Sequence, residues 1–277
     1  MRISVVTASF RQFSWLKRCV RSVADQRDVE VEHIIQDAGT GPQLEDWIRS
    51  YSAAKLYVER DAGMYDAINR GLDRASGDVI GILNCDEQYL PATLKRVRRK
   101  FEEHPDADIV AGDYLLVDQS QRLLAFRKVT PLRAAMISTD HLYAFTCALF
   151  FRRSLFASGL RFDASLRSVA DGEFVCRALA AGHRAALLHE YLATFTWTGE
   201  NLSAQPISRD EDVRLRSKLP RLMRAAAPLL RSWRHVERLL VGGYLSVPIS
   251  YAIYDGEDDE TRTEFTCASP SFRYPGL

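Results

Sequence analysis

The residues able to do chemistry in this chain sit in short acidic clusters behind apolar runs. The clearest is Asn84-Cys85-Asp86-Glu87, directly after Val79-Ile80-Gly81-Ile82-Leu83. An uninterrupted apolar run bounded by Gly77 and by polar residues reads as a strand covered on both faces. In open α/β sheets, ligands bind outside the carboxyl ends of the strands. Asn84, Asp86 and Glu87 therefore stand where a ligand belongs, and hard oxygen donors there suit Mg²⁺ or Mn²⁺ held together with substrate phosphates. The same letters also suit a turn that caps a helix near Pro91. A second cluster opens ADGEFVCRALAA, residues 170–181. Phe174, Val175, Ala178 and Leu179 form its apolar face, which places Asp171 and Glu173 in the first turn of a helix. The helix dipole favours acids there on structural grounds alone. A carboxylate at a helix start can also project into a cleft and act as a base.

The elements that must position these groups alternate. Residues 2–7 read as a β-branched strand followed by Thr7-Ala8-Ser9, a small polar turn at its carboxyl end. A helix over 14–26, a strand over 31–36 ending in Asp37, a helix over 43–51 and a strand over 55–58 complete a βαβαβ half, the usual mononucleotide-binding unit. No GxGxxG is present, so the dinucleotide fingerprint is absent. Asp61 precedes a helix over 64–75, and Asn69 lies on it; both also suit capping or a solvated face. A helix over 91–103, a strand at 108–111, a hairpin pairing 114–118 with 122–127, an irregular link over 130–139 and a strand over 184–188 follow. The fold class is α/β.

The totals narrow the function. The chain has 277 residues, 47% apolar and 26% charged, as an ordinary globular protein does. A net charge of +1 argues against a nucleic-acid partner. Five cysteines, an odd number without CxxC spacing, favour a reducing compartment over a disulfide framework or structural zinc. No secretory signal is evident, and no apolar run reaches the ~18 residues of a membrane span. These readings point to the cytoplasm.

Several segments together resemble the inverting family 2 glycosyltransferases. They are SVVTASF, EHIIQDAGT, ERDAGMYDAINRGLDRASGDVIGILNCDE and FDASLRSVADGEFVCRAL. The family pattern D-x-G-x-Y-D-A-x-N-x-G is matched by Asp61, Gly63, Tyr65, Asp66, Ala67, Asn69 and Gly71. The strand-end signature, commonly N-S-D-D, reads Asn84-Cys85-Asp86-Glu87 here, with cysteine for serine and glutamate for the last aspartate. The resemblance covers about residues 1–203 and implies a GT-A (Rossmann-like) nucleotide-sugar-binding domain with a mixed central sheet. It implies transfer with inversion from a nucleotide-diphosphate sugar, a UDP-sugar favoured, to a glycan or lipid-linked saccharide. Thr7, Ala8, Ser9, Asp37, Asp61, Asn69 and Asn84 would border the nucleotide sugar. Asp86, with Glu87, would hold Mn²⁺ or Mg²⁺ on the diphosphate. Asp171 would be the catalytic base, with Glu173 the second candidate, and Trp197–Ser203 would lie on the acceptor side. The rival readings are a sugar-phosphate nucleotidyltransferase, which would want a Gly-rich basic loop in place of TASFRQF, and a nucleotide-sugar-binding subunit without turnover.

Residues 204–277 read as a separate helical extension. Between 207 and 240 there are nine Arg or Lys against four Asp or Glu, interleaved with apolar residues, and Pro220 and Pro228 divide the stretch into short helices. A basic amphipathic segment of this kind suits either an anionic membrane surface, making the protein peripheral on the inner face of the cell membrane, or a cap packed on the α/β domain. Surface polysaccharide synthesis is the setting these features imply.

Overall fold

The computed structural model describes residues 1–51, 53–199, 201–256 and 258–274. The first half is β1 (Arg2–Ser9), α1 (Phe13–Ala24), β2 (Glu30–Asp37), α2 (Pro42–Tyr51), β3 (Lys55–Val58), α3 (Met64–Arg74) and β4 (Val79–Ile82). Its strands run parallel in the order β3-β2-β1-β4. The register sets Ser9 level with Asp37 and Val6 level with Ile82, so the loops after β1, β2 and β4 open at one edge. Successive residues of β4 serve opposite faces: Val79 packs towards α1 and Ile80 towards α3. That double burial is why the strand reads as continuously apolar.

The second half is β5 (Gln88–Tyr89), α4 (Thr93–Glu103), β6 (Ile109–Val117), β7 (Leu123–Arg127), α5 (Ala134–Thr139), β8 (Leu149–Arg152), α6 (Arg153–Ala157), α7 (Ala170–Ala180) and β9 (Ala185–Thr196). β8 runs antiparallel to both β4 and β6, which turns the parallel sheet into a mixed one. Among the described residues this sheet has nine strands. Several elements differ from the sequence reading: the strand at 108–111 and the first arm of the hairpin are one strand, β6, and the strand over 184–188 continues to Thr196 as β9. The link over 130–139 contains α5, one and a half turns that bury Met136 and Ile137, too short for a 3.6-residue period to declare itself. β5 is a two-residue strand fixed by pairing to β9, a non-local contact without a local signal.

Gly71 shows how tightly α3 lies on the sheet: a Cβ there would stand 2.4 Å from Val6 Cγ1. Gly63, at φ 138°, makes the turn into α3 that an L side chain would strain.

The C-terminal extension is α8 (Pro206–Ser217) and α9 (Arg221–Leu240), then a hairpin of β10 (Ile249–Ile253) and β11 (Thr263–Cys267) absent from the sequence reading. Pro220 precedes α9, but Pro228 lies inside it rather than dividing it. The carbonyl that would have received the missing N–H belongs to exposed Arg224, where water can serve it. Leu215 and Leu230 pack on the main core, and Glu237 meets Arg133 at 2.9 Å. Ile249, Tyr251 and Ile253 join Leu115, Val117 and Phe126 in a smaller core. The acidic 255–264 stretch is anchored by Arg262, which pairs with Asp25 at 2.6 Å. Among the described residues no helix is long and apolar enough to cross a membrane.

Candidate active site

A cavity of about 1080 Å³ opens at the carboxyl edge of the parallel strands. Ala8, Ser9, Asp61, Asn84, Asp86, Glu87 and Asp171 all line it, although they come from four stretches of sequence. Three other candidates are turned elsewhere. Thr7 is fully buried, its hydroxyl 2.9 Å from His33 Nε2. Asp37 is fully buried and folds its own loop, accepting the amides of Gly39 and Thr40 at 2.9 and 2.7 Å and the Thr40 hydroxyl. Asn69 is spent on Phe162: its Nδ2 donates to the Phe162 carbonyl at 2.8 Å and its Oδ1 accepts the Phe162 amide at 3.0 Å. Side chains so engaged hold the walls in place rather than face the cavity.

At the end of β4, Glu87 Oε2 accepts the Asn84 amide at 2.7 Å, and the Glu87 amide donates back to the Asn84 carbonyl at 3.0 Å. This closed turn holds Asp86, half-buried, in the cavity lining. Its backbone carbonyl is pinned by the Thr196 hydroxyl at 2.6 Å, which ties the turn to β9. Burial raises the pKa of both carboxyls, and for Glu87 the neighbouring Asp86 charge raises it further. Two adjacent acids that resist being charged together favour a cation. Asn84 Oδ1 is also buried without a hydrogen-bond partner among the described residues. Among the described residues no group of three His, Cys, Asp or Glu could hold a metal unaided. The donors present, the Asp86 carboxylate, the orphaned Asn84 amide oxygen and Glu87 Oε1, which is likewise buried without a partner among the described residues, therefore fit a divalent ion that takes its remaining ligands from substrate phosphates and water.

Asp171 is the second residue of α7 and lines the same cavity. Burial lifts its pKa to about 6, against the pull of the Gly172 amide, which it accepts at 2.8 Å, and of the neighbouring Tyr65 hydroxyl. Tyr65 Oη donates to the Ser168 carbonyl at 2.9 Å, joining α3 to the loop before α7. Glu173, two residues on, does not line the cavity; it is paired with Arg177 at 2.6 Å across one helical turn. Of the two acids in this turn, only Asp171 faces the cavity.

Burial also raises the pKa of Asp61, whose Oδ1 accepts the Gly63 amide at 3.0 Å. The sequence reading missed Arg11, Arg60 and Arg167, which line the same cavity. Their positions offered a signal: Arg60 directly precedes Asp61, and Arg167 lies four residues before Asp171. Thr198, Asn201 and Ser203 line the cavity as well. Asn201 closes that loop, its Oδ1 accepting the Thr198 amide at 2.8 Å. Glu200, in the same segment, lies outside the described residues.

Residues 4–159 match the sequence model of glycosyl transferase family 2. The chain belongs to this family. It is 27% identical over 180 residues to a PGL/p-HBAD biosynthesis glycosyltransferase of Mycobacterium tuberculosis, covering 63% of this chain and 68% of that one. It is 24% identical over 231 residues to an uncharacterized glycosyltransferase of Nostoc, covering 77% and 71%. Its fold is that of S. aureus TarS 1–349, solved in complex with UDP-GlcNAc, with a TM-score of 0.65 at 18% identity over 87% of this chain and 73% of that one. The mannosyltransferase PcManGT of Pyrobaculum calidifontis, in complex with GDP-Man and Mn²⁺, superimposes with a TM-score of 0.58 at 15% identity, over 84% and 69%. The mixed sheet is thus a GT-A fold, and this family 2 member is a glycosyltransferase.

Proposed function

We propose that the protein transfers a sugar, with inversion, from a nucleoside-diphosphate sugar to a glycan or lipid-linked saccharide acceptor. A UDP-sugar is the favoured donor, in keeping with the TarS complex. The observation that carries the reading is that Asp86 and Asp171 line one cavity, each acid in a setting that suits a different half of the reaction.

Asp171 takes the proton of the acceptor hydroxyl as that oxygen bonds the anomeric carbon. The bond from that carbon to the diphosphate oxygen breaks, and its electron pair leaves with the nucleoside diphosphate. A pKa near 6 leaves the carboxylate mostly ionised at neutral pH, yet basic enough to share a proton in the transition state. Attack from the face opposite the leaving group needs one base only, and among the described residues Glu173 is withdrawn into its pair with Arg177. Asp86, with Glu87 Oε1 and the Asn84 amide oxygen beside it, would hold Mn²⁺ or Mg²⁺. Such an ion, when bound, offsets charge building on the departing diphosphate. Arg60 and Arg167 supply fixed positive charge to the same cavity.

The setting we propose is surface polysaccharide synthesis at the cytoplasmic face of a membrane. Five free cysteines and the basic segment over 207–240 support it. The test is a donor screen read by release of nucleoside diphosphate, with Mn²⁺ or Mg²⁺, for the parent, Asp86→Ala and Asp171→Asn. One donor turning over, with both variants inactive and Asp171→Asn still binding donor, is the expected result. Donor binding by none of the three would sink the proposal.

A further inference from the structure

The extension leaves an apolar stripe facing water. Along α9, Leu222, Leu229, Trp233, Val236 and Leu240 follow one another at steps of seven, four, three and four residues, which puts them on one side of the helix. All five are exposed, Leu222 at 83% and Leu240 at 78%. Leu245 and Val247 extend the apolar surface beyond the helix end at 64% and 53%. This stripe is not a face waiting to pack on the body of the protein. The inward side of α9 is already engaged: Leu230 in the core, Glu237 with Arg133, and Arg234 with Asp140 at 2.5 Å.

Charge around the stripe is sorted. Arg209, Arg214, Lys218, Arg221 and Arg224 are exposed, and none forms an ion pair among the described residues. Most acids of the segment are consumed internally. Glu211 accepts backbone amides, Asp212 pairs with Arg216 and Glu237 with Arg133, which leaves Asp210. A chain of net charge +1 therefore carries cations, unpaired among the described residues, on the two helices of the extension, with Arg221 about 100° round α9 from Leu222 at the edge of the stripe.

We propose that the α9 stripe seats the enzyme on an anionic lipid bilayer, a docking that deepens the membrane part of the function proposed above. Leucines enter the acyl boundary, Trp233 sits at the headgroup level, and the flanking arginines meet lipid phosphates. A second copy of the chain fits this surface poorly. A two-fold interface sets the same patch against itself, so the cationic border of the stripe at Arg221 would be brought against a second cationic border. The extension also starts three residues after Ser203 of the cavity wall, so docking here brings the cavity close to an acceptor held in the membrane.

The experiment is co-sedimentation of the full chain with phosphatidylcholine vesicles, with and without phosphatidylglycerol, at low and high salt. The parent should bind vesicles containing phosphatidylglycerol at low salt and be released by high salt. Combined Leu222→Ser, Leu229→Ser, Val236→Ser and Leu240→Ser should weaken binding at least ~10-fold, as should combined Lys218→Gln, Arg221→Gln and Arg224→Gln. Both sets are exposed, and donor hydrolysis in solution should be unchanged. No vesicle binding at low salt overturns the proposal. So does equal binding by the serine variant, or a dimer of the parent that the serine variant abolishes. Turnover of donor without vesicle binding would sink this inference alone; vesicle binding without donor binding would sink the transferase reading alone.

Discussion

Glu211 of α8 accepts the backbone amide of Arg167 at 2.7 Å, and its other oxygen accepts that of Ser168 at 3.0 Å. A buried carboxylate in the extension thus braces the loop that lines the cavity just before Asp171. Glu211→Ala leaves two amides without acceptors, a loss of about 1–3 kcal/mol of stability. It should also lower kcat about tenfold while donor affinity stays within twofold, because the loop leads into Asp171, the proposed base. Glu211→Gln, which keeps one acceptor oxygen, should recover part of kcat. Isothermal titration of donor beside steady-state kinetics decides between this and a purely structural role, in which kcat would follow the folded fraction alone.

Asp171→Asn should reduce kcat by about 10²- to 10⁴-fold, the usual worth of a general base, with donor binding retained. The parent's kcat should fall with slope one as pH drops through about 6, where the carboxyl takes up its proton, and the asparagine variant should lack that limb. Linkage gives a second readout. Because burial raises this pKa above the unfolded value near 3.8, the native state binds the extra proton between the two values. Stability attributable to Asp171 therefore falls as pH rises through that window, and the cost is complete above about 6. Asp171→Asn should accordingly melt higher at neutral pH by a few degrees, on the order of 1–2 kcal/mol. A lower melting temperature would contradict the desolvated carboxylate.

Glu173→Gln should keep near-parental kcat, since the side chain is held by Arg177 outside the cavity. The lost pair spans one turn of a helix and is worth about 0.3–0.5 kcal/mol. Activity as low as that of Asp171→Asn would reverse the assignment of the base.

Asp86→Asn should weaken donor binding measured with Mn²⁺ by about tenfold or more, and leave it little changed in chelator. The fall in affinity isolates the interaction shared between Asp86, cation and diphosphate. Equal loss with and without metal would assign Asp86 to the sugar or the turn instead.

Gly71→Ala would set a methyl 2.4 Å from Val6 Cγ1. Helix α3 must then lift from β1, at a cost of about 1–3 kcal/mol. Denaturant unfolding measures it directly, and an unchanged midpoint would mean that the helix moves freely.

Much of this arrangement was legible because it is local. The run Val79–Leu83, the acids behind it and the helix opening at Asp171 each announce themselves within a dozen residues. What the sequence could not convey is where a side chain points. Thr7 and Asp37, near the carboxyl ends of β1 and β2, and Asn69, on α3, carry the right chemical types, yet each satisfies a neighbour's backbone or ring instead of facing the cavity. Arg60 and Arg167 were hidden for the opposite reason: arginine beside polar loop residues reads as solvated surface until folding brings acids round it. The β10–β11 hairpin alternates inward Ile249, Tyr251 and Ile253 with outward Ser250, but an apolar stretch upstream blurred that period. Pro228 misled because internal proline usually ends a helix, through a lost hydrogen bond and a clash with the carbonyl four residues back; here that carbonyl belongs to exposed Arg224, which can tilt towards water.

Asn69 has a wider bearing. Its two hydrogen bonds to Phe162, with that of Tyr65 to Ser168, stitch the helix after the Asp61 loop to the chain leading into α7. The seam runs between the half of the molecule that presents Asp86 and the half that presents Asp171, and it fixes the gap across which a sugar must travel. Loosening it would let that gap vary without removing any group that touches the substrate. A substitution survey scored on turnover alone would file Asn69 among the ligands, whereas one that also recorded thermal melting would file it with the frame.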